Sequence, residues 1–208
     1  LVGRLWKNRQ MDAVLDLYRK TTLVMMIIGG GLVLLLWGNI DAIFQFIPKE
    51  YAVAKYCLLL LCIGRYADMV TGLNGIITIT SKKYKYDLFF LLLLVIMTIG
   101  LNLILIPIYG ITGAALAAMT SLVFYNFLRM VFVWYNFKMQ PFTLTCLWVL
   151  LITIGTFGII HFMPYISNKY ISLVVSSVII SVVYMGMILL FRLSPDINSV
   201  VYKYTGWK

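Results

Sequence analysis

Charged residues are scarce in this sequence. Asp, Glu, Lys and Arg make up only 12% of its 208 residues, whereas hydrophobic residues make up 62%. About one-quarter of the residues of a soluble domain are charged, so this composition excludes an ordinary soluble globular domain. Together with a mean hydropathy of +0.97, it indicates an integral membrane protein.

The residue types that build catalytic and metal sites are also few. The sequence has one histidine, His161, and its three cysteines lie within apolar runs without CxxC or Cys/His spacing. This pattern predicts neither a metal site nor a disulfide framework. General acid–base or nucleophilic catalysis needs paired carboxylates or a histidine beside serine or cysteine, and the sequence shows neither. We therefore expect no enzyme, no catalytic residue and no cofactor; His161 is expected to be an interfacial residue, with proton coupling as the alternative.

The formal net charge of +10 could indicate nucleic-acid binding. The lysines and arginines, however, lie in short connections between apolar runs, which is typical of membrane topology and not of a phosphate-binding face. If the N-terminus is cytoplasmic, thirteen lysines and arginines lie on the inner side and three on the outer side. The sequence therefore predicts no nucleic-acid partner and places both termini in the cytoplasm.

The stretch from Lys82 to Arg129 shows the pattern of the whole chain. A basic segment precedes an apolar run over 88–106, an uncharged turn over 107–113 and a second uncharged run that stops at Arg129. Because about 20 apolar residues in a helix cross the hydrocarbon core, each run is long enough to span a bilayer. The stretch is predicted to be a transmembrane helical hairpin, with the small residues from Gly110 to Ser121 packing closely against a neighbour.

The same reasoning predicts an all-α, polytopic membrane bundle with three parts. Residues 1–20 form an amphipathic, basic lead-in on the cytoplasmic leaflet, or alternatively a charged loop. Residues 21–192 form a six-helix transmembrane domain, and 193–208 form a cytoplasmic tail. Gly29 to Gly31 in the first span allow a bend or the close approach of a neighbouring helix. The spans are predicted at 21–40, 52–80, 88–106, 112–134, 144–163 and 170–191.

The second span contains the candidate substrate-binding residues Arg65, Asp68 and Asn74. Arg65 lies roughly 20 Å along the helix from Ala52, near the middle of the bilayer. An arginine at that depth costs about 2.5–3.5 kcal/mol unless it faces protein or water. At 100° per residue, Arg65 and Asp68 share a face that we expect to line the bundle interior or a hydrated cavity. The alternative is a structural Arg65–Asp68 ion pair that joins helices.

One motif carries a family resemblance. The run from Asn102 to Ala115, NLILIPIYGITGAA, resembles the N-x-x-L-I-P-x-Y-G-I-x-G-A-A signature of polysaccharide flippases in the multidrug/oligosaccharidyl-lipid/polysaccharide exporter superfamily. The segment from Lys49 to Ala54 is similar to an outer elbow of that family, although Pro48 stands near where a glycine is usual. Gly72-Leu73-Asn74 falls where the family often breaks a span. The resemblance covers roughly residues 5–140, and the last two spans only by hydropathy.

The resemblance implies that the chain is the C-terminal part of a two-lobed flippase in the bacterial inner membrane. Such a protein moves a polyprenyl-diphosphate-linked oligosaccharide to the outer leaflet by alternating access, for lipopolysaccharide O-antigen or capsule synthesis. The implied partners are the lipid-linked oligosaccharide, membrane lipids, the missing N-terminal lobe, and a glycan polymerase and glycosyltransferases.

Two other functions stay open. One is a multidrug or organic-cation exporter of the same superfamily, which the closeness of Arg65 to Asp68 in sequence disfavours, because a cation site favours a carboxylate without a cationic neighbour. The other is a non-transporting membrane subunit of a glycan synthase.

Overall fold

The structure, a computed structural model, describes residues 2–51, 54–162 and 168–194, without the side chains of Lys49, His161 and Lys169. Within these ranges every regular element is helical, which confirms the all-α prediction. Most of the predicted tail, from 195 to 208, lies outside the described residues, and so does the end of the predicted fifth span.

A short 3₁₀ turn at Lys49–Tyr51 precedes α4. The α-helices are α1 Val2–Lys7, α2 Met11–Gly38, α3 Ile40–Phe44, α4 Ala54–Thr71, α5 Leu73–Thr80, α6 Lys85–Tyr109, α7 Ile111–Phe137, α8 Leu144–His161 and α9 Lys169–Leu190.

The length and hydropathy of these helices identify a multi-pass membrane protein. Four described helices, α2, α6, α7 and α9, are long and apolar enough to cross a bilayer. The pair α4 and α5, bent by 44° at its junction, could form a fifth span. Helix α8 contributes a shorter apolar segment, Leu144–Ile160. The described residues thus give four or five spans, and a sixth stays a prediction.

The chain packs as two compact units. Unit 1 comprises Leu1–Thr22 and Glu50–Pro141, and unit 2 comprises Leu23–Lys49 and Phe142–Lys208. The first part of α2 thus belongs to unit 1 and its remainder to unit 2.

Residues 11–20 of the predicted lead-in belong to the same helix as the predicted first span. Helix α2 begins at Met11 and continues without a break through residue 20. Val14 and Tyr18 are fully buried in unit 1, and the Thr22 hydroxyl donates to the carbonyl of Val70 at 3.2 Å. The amphipathic pattern over 11–20 therefore marks a long helix that buries one face against protein, and only α1 is a separate short helix.

The α6–α7 hairpin is tighter than the predicted turn over 107–113. Helix α6 continues through Pro107 to Tyr109, and α7 begins at Ile111. Only Gly110 separates them, with a φ of +58° that side-chain-bearing residues rarely adopt. A Cβ at Gly113 would overlap the carbonyl oxygen of Leu105. The two glycines allow the reversal and the close approach of the helices, respectively.

In unit 2 the glycine run of α2 receives a tyrosine from α9. A Cβ at Gly30 would lie 2.8 Å from the Tyr184 hydroxyl oxygen, and one at Gly31 would lie 3.2 Å from its ring. The Tyr184 hydroxyl donates to the carbonyl of Ile27 at 3.0 Å and lies 3.4 Å from the Thr153 hydroxyl. The prediction that these glycines admit a close neighbour is confirmed.

Candidate functional site

The predicted second span, which contains the predicted site residues, consists of two helices that meet at Gly72. Helix α4 ends at Thr71 and α5 begins at Leu73, with a bend of 44° between them. The Gly72 N–H donates to the carbonyl of Met69, three residues back, which is the tighter hydrogen-bond pattern of a helix end. Glycine weakens a helix by about 1 kcal/mol relative to alanine, so Gly72 lowers the cost of interrupting the helix at this position.

A polar cluster fixes the end of α4 just before the break. Asn126 of α7 donates its amide to the Asp68 carboxylate at 3.0 Å and accepts a hydrogen bond from the Thr71 hydroxyl at 2.9 Å. Asn126 is 2% exposed, and its amide also donates to the carbonyl of Leu122 at 3.0 Å. The carboxylate of Asp68 is therefore held by an amide of a neighbouring helix.

A second polar contact fixes α5 just after the break. The side chain of Asn74 is fully buried, and its carbonyl oxygen accepts a hydrogen bond from the Tyr18 hydroxyl of α2. The amide nitrogen of Asn74 is buried and has no hydrogen-bond partner among the described residues. Asn74, which the sequence proposed as a site residue, thus joins α5 to α2 inside unit 1.

A buried ion pair lies next to α5, and the sequence analysis missed it. The Arg129 guanidinium of α7 donates through Nη2 to Oδ1 of Asp87, in the first turn of α6, at 2.7 Å. It lies 4.8 Å from the centre of the Tyr125 ring, and a Cβ at Gly75 would overlap Nη2. Arg129 is 8% exposed, and its Nε is buried without a partner in the described part of the chain.

Arg129 was predicted to end an uncharged run and was counted among the charges of the inner side, although the predicted span over 112–134 already extends past it. Helix α7 instead continues eight residues further, to Phe137, and encloses Arg129 within its length. The apolar run Met130-Val131-Phe132-Val133-Trp134 was the available signal, because it continues the helical pattern past the arginine.

The structure separates Arg65 from the other two candidate residues. Arg65 is exposed on α4, whereas Asp68 is partly buried and Asn74 fully buried. In the ranges that the structure describes, no ion pair joins Arg65 to Asp68, so the alternative of a structural pair is wrong. The bend at Gly72 turns α5, with Asn74, away from the line of α4, whereas Arg65 and Asp68 differ in burial on α4 itself.

The sequence was compared with family models and with curated proteins, and the fold with solved structures, and none of the three comparisons gives a match.

Proposed function

We propose that this chain forms the substrate-carrying part of a flippase that moves a polyprenyl-diphosphate-linked oligosaccharide across the bacterial inner membrane. The observation that carries the proposal is the break between α4 and α5 at Gly72. On both sides of this break, polar side chains form hydrogen bonds with side chains of other helices. Asp68 and Thr71 contact Asn126, and Asn74 contacts Tyr18. Polar and ionisable side chains within membrane spans are costly, and they mark substrate or ion pathways by default.

A broken helix suits a transporter for a second reason. Discontinuous helices place backbone and polar side chains at the binding sites of secondary transporters, where the lobes rock about the substrate. In this chain α4 is fixed to α7 before the break, and α5 is fixed to α2 after it. The bend is therefore a built feature of unit 1, which supports a role in substrate passage.

The exposed Arg65 supports an anionic substrate. It lies eleven residues into α4 from Ala54, roughly 16 Å along the helix, a depth that falls inside the hydrocarbon core of the proposed span. A guanidinium directed at acyl chains at that depth would cost several kcal/mol, so the exposed face of α4 contacts water, another part of the protein or substrate. Arginine binds phosphate oxygens in a planar, bidentate geometry, which suits the diphosphate of a lipid-linked sugar.

The run from Asn102 to Ala115 supports the fold of this superfamily more directly than its substrate. Gly110 and Gly113 have a local structural role in the α6–α7 hairpin. The saccharide chemistry of the proposal therefore rests on the resemblance together with Arg65.

The first test removes Arg65 from the full-length protein. We expect Arg65→Ala to abolish export of the surface glycan while its level in the membrane stays unchanged, and Arg65→Lys to restore part of the export. Arg192→Ala, an exposed cation just after α9, is the matched control and should export normally. Normal glycan export by Arg65→Ala would remove Arg65 from the mechanism.

One observation favours the superfamily's organic-cation exporter as a second candidate. The Asp68 carboxylate accepts a hydrogen bond from the Asn126 amide and, within the described ranges, forms no ion pair with Arg65, so Arg65 does not neutralise its charge. Asp68→Asn keeps the hydrogen-bond acceptor but removes the charge. Loss of drug resistance in Asp68→Asn, with normal glycan export, would establish the exporter.

The third function, a non-transporting subunit of a glycan synthase, is tested by reconstitution. Purified full-length protein in vesicles should transfer a lipid-linked oligosaccharide between leaflets if it is a flippase. Glycan loss in the deletion strain without any transfer in vesicles would favour the synthase subunit.

A further inference from the structure

We propose that exposed cations of unit 1 form a docking surface for the headgroups of anionic phospholipids. Three separate segments supply them, and all six side chains are exposed. We name this set the basic cluster; it consists of Arg4, Lys7, Arg9, Lys82, Lys83 and Lys138. The inference does not depend on transport, because it concerns a surface away from the bonded polar residues at Gly72.

Contacts between distant segments bring the cluster together. The rings of Trp6 and Phe137 meet edge to face with centroids 5.0 Å apart, which places α1 beside the end of α7. A Cβ at Gly3 would lie 3.7 Å from Thr80, the last residue of α5. The Lys83 ammonium donates to the side-chain carbonyl of Asn136, which joins the α5–α6 connection to α7. The fold therefore gathers cations that lie up to 134 positions apart, from Arg4 to Lys138.

The neighbouring carboxylates do not neutralise these cations. The Asp16 carboxylate lies 2.8 Å from the Lys20 ammonium, and the Asp87 carboxylate pairs with Arg129. Asp12 is exposed on α2 and is the one acidic residue within 2–20 besides Asp16. The surface is thus strongly positive and calls for an anionic partner.

The position of the cluster identifies that partner as a membrane leaflet. The cations flank the last residue of α5, the start of α6 and the end of α7, and α6 and α7 are both long and apolar enough to cross a bilayer. Helix α1 buries Val2 and exposes Arg4 and Lys7, as a helix at the headgroup level does. Tryptophan and tyrosine are enriched at the membrane–water interface, and the Lys138 ammonium lies 5.4 Å from the centre of the Tyr135 ring.

The strength of the expected effect follows from the number of charges. A lysine or arginine near an anionic leaflet strengthens binding about fivefold, and the effect decays within a Debye length. Removing two cations should therefore weaken the binding of an anionic lipid by about 25-fold. Because α1 lies against the end of α5, bound lipid should also hold α1 in place.

The experiment titrates the purified full-length protein in neutral detergent with phosphatidylglycerol or phosphatidylcholine and counts bound lipid by native mass spectrometry. The parent should bind phosphatidylglycerol at least about tenfold more tightly than phosphatidylcholine. Arg4→Gln/Lys7→Gln should lose that preference. The variant Lys82→Gln/Lys138→Gln should lose the preference for phosphatidylglycerol as well. If the first variant fails to fold, this second variant decides the outcome. Lys49→Gln/Lys55→Gln removes the same charge outside the cluster and should keep the preference.

Three results would overturn the proposal. One is equal binding of the two lipids by the parent, and another is an unchanged preference in folded variants of the basic cluster. The third comes from inorganic pyrophosphate as a competitor: if it displaces phosphatidylglycerol completely at equimolar concentration, the cluster recognises a soluble diphosphate group and not a leaflet.

Discussion

The ion pair between Arg129 and Asp87 gives the sharpest prediction for the stability of unit 1. The two side chains are 10% and 19% exposed, and their charged atoms are 2.7 Å apart. Removing one partner of a buried pair costs about 3–5 kcal/mol, because the other charge stays buried without compensation. We therefore expect Arg129→Met to lower the free energy of unfolding by about 3–5 kcal/mol, of which about 0.5–1 kcal/mol is the lost contact with the Tyr125 ring.

A double-mutant cycle separates the pair from the rest of the arginine's packing. Replacing a buried ion pair by apolar residues of similar size is often nearly neutral. Asp87→Leu/Arg129→Met should thus be at least about 2 kcal/mol more stable than Arg129→Met alone. Unfolding of the full-length protein can be followed by circular dichroism in mixed dodecyl maltoside and sodium dodecyl sulfate micelles.

The cycle has a clear contrary outcome. If Arg129→Met costs less than about 1 kcal/mol, the guanidinium is solvated and the pair behaves as a surface salt bridge. If the double variant is no more stable than the single one, Asp87 is not the group that the arginine compensates.

Two further predictions concern helix packing. Gly113→Ala should lower the free energy of unfolding by about 1–3 kcal/mol, because its Cβ would meet the backbone of Leu105 in the hairpin. Gly100→Ala is the control, because its Cβ would meet nothing within 4 Å, and it should leave the free energy of unfolding unchanged or raise it by up to about 1 kcal/mol. Equal effects of the two substitutions would contradict the hairpin geometry. Tyr184→Phe should cost about 0.5–1.5 kcal/mol through loss of its 3.0 Å hydrogen bond to Ile27, while Tyr109→Phe, at an exposed ring, should cost nothing measurable. Both pairs can be measured in the same micelle titration, and a harmless Tyr184→Phe would refute the bonded contact in unit 2.

Hydropathy alone predicted much of the helical architecture. The predicted spans over 88–106, 112–134 and 170–191 each fall largely within one helix, namely α6, α7 and α9. This succeeds because a helix that crosses a bilayer must be apolar over most of its length. The helix ends were less well predicted. Arg19 and Lys20 were taken to precede the first span, but they lie within α2, because a helix that packs one face on protein can carry charged residues on its other face.

The candidate site was only partly readable from the sequence, for a geometric reason. Asp68 and Asn74 were identified because polar residues within a span are costly, and both are bonded to other helices. Asp87 was assigned to an inner connection because it lies next to the predicted start of a span at 88, and Arg129 was counted among the inner charges although the predicted span over 112–134 contains it. Only the packing of α5 against the hairpin shows that the two charges are buried together. Arg65 and Asp68 share a face of α4 without forming a pair, and helical spacing alone could not have distinguished these outcomes.

The central claim is that the broken span of unit 1 faces a wet path at the depth of Arg65. The direct measurement is the labelling rate of Arg65→Cys by a charged, membrane-impermeant thiol reagent, with Cys57, Cys62 and Cys146 replaced by serine. Leu92→Cys, on an exposed and apolar position of α6, provides the acyl-facing reference, and Tyr84→Cys in the α5–α6 connection provides the aqueous one. The account predicts that Arg65→Cys reacts within about tenfold of the rate of Tyr84→Cys, because a wet path gives the aqueous reagent access to the thiol. A labelling rate as low as that of Leu92→Cys would show that water does not reach position 65 and would contradict the claim.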